Sequence, residues 1–151
     1  MRTLFPLLLL VALSGGRTAD TDRTTSEAQI QNALRSMDQA AGLLDADRFM
    51  AWYLHSPSLV IVFDGQTIRG WQANLDQQRK WWSGIKAGVI YTDERAPEIT
   101  LQSANIATTL QWMLVADPHG TAQPSRLTVT SVWKHVPDGW RIIMAHESLT
   151  W

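Results

Sequence analysis

The chain has 151 residues, enough for one domain with its own core and not comfortably for two. Hydrophobic residues make up 45% and charged residues 18%, which excludes a disordered chain, and a formal net charge of -1 with scattered basic residues excludes the electrostatic footprint of a nucleic-acid binder. There are no cysteines, so disulfides, thiolate metal sites and cysteine nucleophiles are excluded as well.

Met1-Arg2 supplies a positive start, Leu4 to Leu13 an apolar run broken only by Pro6, and Ser14, Gly15 and Gly16 the small residues a signal peptidase requires. Residues 1–16 therefore read as a signal peptide cut after Ser14 or after Gly16. The apolar run is about half the roughly 20 residues that span a bilayer, so no membrane anchor is expected after cleavage, and the protein is expected to be periplasmic or secreted. Residues 17–25 are polar and read as a flexible lead-in.

A domain over residues 26–151 follows. Ser26 and Gln29 form a capping-box pattern, and Ile30, Ala33, Leu34, Met37, Ala40, Ala41 and Leu44 recur at helical spacing, predicting a long amphipathic helix. Asp45 can cap a shorter helix bearing Phe49, Trp52 and Tyr53, which Pro57 forbids from continuing. Leu59 to Phe63 reads as a strand, Asp64-Gly65 as a turn, and Gln66 to Arg69 as the returning strand. A third helix is predicted from about Trp71 to Ser83. From residue 88 the apolar period changes to two, with strands at Val89–Thr92, on through Leu101 after Pro97, and at Ile106–Ala116, Leu127–Val136 and Trp140–Leu149. Pro118-His119-Gly120 and Pro137-Asp138-Gly139 mark turns. Helices first and an antiparallel meander afterwards make an α+β layout.

Two stretches carry a family resemblance. Ala40 to Asp45 through Trp52-Tyr53, followed by Val60 to Gly65 and Ile68-Arg69-Gly70, resembles the opening of NTF2-like domains. Val132 to Ile143 with His146-Glu147-Ser148 resembles their closing hairpin, as found in the DUF4440 and SnoaL-like branches. The resemblance implies a cone in which a curved antiparallel sheet wraps around the long N-terminal helix. It further implies an apolar pocket for a small apolar molecule, dimerisation through the sheet, and no cofactor. The pocket serves isomerases, dehydratases and hydrolases in some members and no known chemistry in others, so fold does not settle function.

His146 is the first candidate for chemistry. It stands at the family-matching position and alternates with Trp140, Ile142, Met144 and Ser148, so an imidazole in an apolar pocket could serve as acid or base. The competing reading is a buried histidine satisfied by a backbone carbonyl or by Ser148. Asp64 is the second candidate, a carboxylate at the pocket mouth, although Asp-Gly is also a favoured turn whose side chain faces water. Trp52, Tyr53, Trp82, Trp112, Trp133, Met144 and Ser148 are the candidate ligand-binding residues, with core packing the default reading for each indole. An ungapped reading places Ile61 where a ketosteroid isomerase has its base, so that reaction is not expected. His146 and Glu147 point to opposite faces of a strand and cannot chelate one ion, and no metal site is expected. A two-residue loop at Pro137-Asp138 would put Trp133 opposite Ile142 and on the face of His146, whereas a bulged turn would turn Trp133 away. The sequence leaves both open.

Overall fold

The computed structural model describes residues 15–85, 88–117, 119 and 123–150. Most of the signal-peptide segment, residues 1–14, lies outside them, as does most of the 118–120 turn.

Helix α1 spans Gly15–Gly42, and its stripe of Ile30, Ala33, Leu34, Met37, Ala40 and Ala41 is buried as the 3.6-residue period requires. It starts earlier than the capping-box pattern suggests. Residues 17–25, read from sequence as a flexible lead-in, are helical. The hydroxyls of Thr24 and Thr25 donate to the carbonyls of Asp20 and Thr21 (3.0 and 2.9 Å), and Arg23 pairs with Glu27 at 3.2 Å. These local i,i+4 contacts extend the helix over an exposed stretch. The chain then turns through Leu44 (φ 55°), and Asp45 caps α2 (Ala46–Met50), its carboxylate accepting from the Arg48 N–H at 3.0 Å.

Strands β1 (Val60–Phe63) and β2 (Gln66–Arg69) form the expected hairpin around Asp64-Gly65, and α3 covers Trp71–Ser83. Strands β3 (Ile90–Asp93), β4 (Glu98–Ser103), β5 (Ile106–Ala116), β6 (Ser125–Val136) and β7 (Gly139–Thr150) complete an unclosed sheet of order β2-β1-β7-β6-β5-β3, with β4 also on β5. The sheet is not wholly antiparallel, because β1 joins β7 in parallel. The reason lies just upstream. Residues 52–54 already run parallel to β7, the Leu54 N–H donating to the Ile142 carbonyl at 2.8 Å and the Ile142 N–H to the Trp52 carbonyl at 2.9 Å. After a loop, β1 continues along the same edge in the same direction.

The β6–β7 hairpin closes through the two-residue loop Pro137-Asp138, pairing Val136 with Gly139 and Trp133 with Ile142. One residue later the register shifts. Val132 pairs with Met144, so Ile143 is the extra residue of a β-bulge. The bulge lies where the outer edge of β7 changes partner from residues 52–54 to β1.

Inward-facing side chains form four successive layers across the sheet. Ala107, Trp133 and Ile142 make the deepest, then Thr109, Ser131, Ala145 and Ile61, then Gln111, Val129, Glu147 and Phe63, and last Met113, Leu127 and Leu149. Trp133 anchors this arrangement. It is fully buried, and its Nε1–H donates to Thr109 Oγ1 at 3.0 Å, which satisfies both groups in a dry layer. Trp133→Ala should lower the unfolding free energy by about 3–5 kcal/mol. Trp133→Phe should cost less while leaving the Thr109 hydroxyl unpaired. Urea denaturation of the two variants checks both.

Candidate functional site

Beside Ile61, the second layer of the sheet carries the small side chains Thr109, Ser131 and Ala145, and at Ser131 the space between sheet and helix is not filled. The result is a narrow cavity of about 30 Å³ between sheet and α1. Ser131 lies on its sheet side, and Val129, Met113 and Leu127 add apolar wall. Helix α1 contributes Leu34, Met37 and Asp38, α2 contributes Phe49, and Tyr53, Tyr91, Gln111 and Glu147 complete the lining.

The polar groups within this apolar wall are the chemistry of the site. Glu147 sits between Val129 on β6 and Phe63 on β1 in the same layer. Burial among them pushes its carboxyl from the ordinary 4.5 up to about 7, and the nearby Asp64 carboxylate adds to the rise. Asp38 stands on the apolar stripe of α1 beside Met37. Burial raises its carboxyl from 3.8 to about 6, with Asp93 contributing. Tyr53 and Tyr91 are held well above their ordinary 10, first by burial and then by Glu147, so both keep their hydroxyl protons across the physiological range. Gln111 is buried, and its amide Nε2 reaches Met113 Sδ at 3.7 Å.

Of the residues singled out from sequence, only Tyr53 lines this cavity. His146 is exposed on the outer face of the sheet, level with Val62 and Thr130. The alternation that ran from Trp140 and Ile142 to His146 is interrupted by the extra residue Ile143, so beyond the bulge odd-numbered positions point inward. The same shift turns Met144 and Ser148 out and brings Glu147 in. Trp133 does face inward but lies in the deepest layer as core. Trp82 is core as well, edge-on to Phe49 at 5.3 Å. Trp112 lies on the outer face beneath the Arg95 guanidinium, 3.2 Å from the ring centroid, and Trp52 lies at the surface with Arg141 over its ring at 5.7 Å.

Asp64 does not line the cavity; it brackets Glu147. It occupies the left-handed region (φ 44°) that an Asp-Gly turn demands. Its backbone N–H donates to the Glu147 carbonyl at 3.1 Å, while its carboxylate accepts from the Leu149 N–H at 2.9 Å. The turn thus pins β7 at the Glu147 carbonyl and just beyond it.

Sequence reasoning missed Asp38, Tyr91, Gln111 and Glu147. Two of these left a visible trace. Asp38 is a carboxylate four residues after Leu34 on an otherwise apolar stripe, and Gln111 interrupts the inward alternation of Ala107, Thr109 and Met113.

The fold has close counterparts among solved structures, whereas no family model and no curated protein sequence matches the chain. An NTF-2 like protein of unknown function from Shewanella oneidensis superposes with a TM-score of 0.69 at 20% identity, covering 81% of this chain and 98% of that one. The hexachlorocyclohexane dehydrochlorinase LinA-type3 from Novosphingobium barchaimii gives 0.73 at 15% identity, covering 87% and 91%. A candidate dehydratase of the NTF2-like family from Streptomyces avermitilis gives 0.71 at 16%, covering 85% and 98%. The chain therefore has the NTF2-like fold, with its cone, long helix and open sheet.

Raised carboxyls make stability fall as pH rises. Between the ordinary carboxyl values near 4 and the folded values of about 6 and 7, the folded chain binds more protons than the unfolded chain, so alkalinisation favours unfolding. Glu147→Gln should flatten this decline in a urea-midpoint series from pH 4 to 8. Asp64→Asn keeps an acceptor for Leu149 and tolerates the left-handed backbone but removes the charge. It should therefore lower the Glu147 titration midpoint measured by carbon-13 NMR.

Proposed function

We propose that this chain is an exported NTF2-like protein that binds a small, largely apolar molecule in the cavity between α1 and the sheet, with Glu147 and Asp38 as its polar anchors. One observation carries the reading: two carboxyl groups and two tyrosines converge on a cavity whose remaining wall is mainly Leu, Met, Val and Phe side chains. A ligand occupying it stabilises the native state by mass action. The melting temperature should rise with a suitable member of a panel of small cyclic and aromatic compounds, and Leu34→Trp, which fills the cavity from α1, should abolish the rise. An unchanged response in that variant would place binding elsewhere.

Export is supported by the charged start, apolar run and small residues of the first sixteen positions. N-terminal sequencing of protein recovered outside the cytoplasm should begin at Gly15 or Arg17. Homodimerisation is supported by the outer face of the sheet, where Trp112, Val132 and a 44% exposed Met144 offer apolar area. Sedimentation velocity on the wild type and on Val132→Glu tests it.

A second reading, cofactor-free proton transfer, is favoured by Glu147 specifically. A base with a pKa near the working pH combines a usable ionised fraction with real basicity. In an elimination, the Glu147 carboxylate would take a C–H proton, the C–H electron pair would become the new C=C bond, and the leaving group would depart with its bonding pair. Two of the structural counterparts are named for reactions of this type, a dehydrochlorinase and a dehydratase. Glu147→Gln should reduce turnover of such a substrate by about a hundredfold or more, while His146→Ala should change it by less than about twofold. The reverse pattern would return the chemistry to the histidine.

A further inference from the structure

Beyond the Trp133 layer, the end of the sheet carries a second and larger space. Counting in twos toward the β6–β7 turn from Trp133 and Ile142 leads to His135 and Trp140, which pair with each other and share the inward face. Their rings meet edge to face at 5.1 Å. Helix α1 reaches this end with Gln29 and Asn32, and Trp52 lies along the other edge of β7, its carbonyl accepting from the Ile142 N–H. Between them is an open cleft of about 430 Å³.

The cleft is walled by donors. Two other indoles have their N–H satisfied: Trp133 donates to Thr109, and Trp71 donates to the Met50 carbonyl at 2.9 Å. Trp140 is 3% exposed, and among the described residues its Nε1–H is the single buried side-chain polar group with no partner. A buried donor left unpaired is costly unless something arrives to accept from it. Beside it, Arg141 donates from Nη1 to the Trp140 carbonyl at 2.9 Å, which holds the guanidinium at the cleft with further N–H groups to offer. Among the described residues no carboxylate pairs with Arg141. Asn32 accepts from Arg35 on its oxygen, which leaves its amide N–H groups to donate and brings a second guanidinium to the rim. Among the described residues no aspartate or glutamate lines the cleft.

We propose that this cleft binds a small aromatic carboxylate, which accepts from Trp140 Nε1 and from the Arg141 guanidinium while its ring lies against Trp52 and Pro137. A planar carboxylate matches the fork of an arginine and still has lone pairs for a separate N–H donor. The Trp52 ring carries the Arg141 guanidinium at 5.7 Å from its centroid, so positive charge and flat apolar surface stand side by side. The volume suits a single-ring compound. Gln29, Asn32 and His135 at the rim are exposed, and turning them aside opens the way to the buried N–H. Trp133 and Ile142 separate this cleft from the cavity that holds Glu147, so its occupancy is independent of the function proposed above.

The test adds benzoate, benzyl alcohol or benzylammonium to the purified full chain. Proton–nitrogen NMR resolves the indole N–H groups, and Trp140→Phe identifies the Trp140 cross-peak by its loss. Titration calorimetry supplies the affinities independently. Benzoate should move the Trp140 cross-peak downfield and bind about tenfold or more tighter than benzyl alcohol, the factor expected for one charge-assisted hydrogen bond. Benzylammonium should leave the cross-peak in place. Arg141→Gln, at a half-buried position, should weaken benzoate by about tenfold or more while leaving the alcohol within about twofold. A Trp140 cross-peak that benzoate does not move would mean that Gln29 or Asn32 accepts from the indole in solution, and would overturn the site. An alcohol or ammonium that binds as tightly as benzoate, or a benzoate affinity unchanged in Arg141→Gln, would overturn the carboxylate assignment.

Discussion

The extra residue in β7, Ile143, decides which face of the last strand sees the cone. Upstream of it, Trp140 and Ile142 face inward and join Trp133 in the deepest layer. Downstream, the phase reverses, and Ala145, Glu147 and Leu149 face inward instead. Without that residue, His146 would stand where Glu147 stands and the cavity would hold an imidazole. The bulge is imposed by the edges of the strand. On one side β7 pairs continuously with β6, while on the other it must serve two unlike partners, the short 52–54 segment and then β1. A single inserted residue accommodates both, and added local bend is the usual accompaniment.

The cavity then follows from side-chain size. A layer of Thr, Ser and Ala above a layer containing Trp and Ile leaves a gap beneath the helices, and the next layer places Gln111 and Glu147 at the level of that gap. Asp38 arrives from the opposite wall because it occupies a helical position adjoining the buried stripe of α1. Asp64, which reads as a solvent-facing turn residue, gains its importance from what it holds. Its two hydrogen bonds fix β7 around Glu147, and its charge disfavours the ionised form of that carboxyl. Turn chemistry and acid–base chemistry are thus coupled through one residue.

Much of the architecture was legible in sequence, and the failures share a cause. Helix α3 and strand β5 follow directly from their apolar periods and turn residues, and Asp45 is the cap its position suggests. The α1 stripe is legible for the same reason. Periodicity is a local property, however, and it carries no signal for a bulge whose origin is a change of partner on a neighbouring strand more than eighty residues away. The alternation of Trp140, Ile142, Met144 and His146 was therefore extended through a point where it breaks, which misplaced His146, Met144 and Ser148 together. The tryptophans were left undecided between pocket and core, with core the default, for a different reason. Ring size says that burial is favourable and not which of several apolar environments receives it, so Trp133 and Trp82 became core while Trp112 stacked under Arg95 outside. The parallel pairing of β1 with β7 is likewise invisible to strand spacing, since it depends on where the chain leaves α2.

The distribution of charge separates what holds the fold together from what the site does. The ion pairs Arg23–Glu27, Arg79–Asp76 and Arg126–Glu94 all involve solvent-exposed partners, where such pairs contribute little. The core draws its stability from layers of apolar side chains and from the Trp133–Thr109 hydrogen bond. Against that background, two carboxyl groups sit among apolar walls with neighbours of their own sign, an arrangement that weakens the folded state as they ionise. Placing a Leu or Gln at either position would remove that penalty, and nothing in the packing of α1 or β7 requires an acid there. Facing the space between α1 and the sheet, each would present a negative charge or a proton acceptor to whatever entered it.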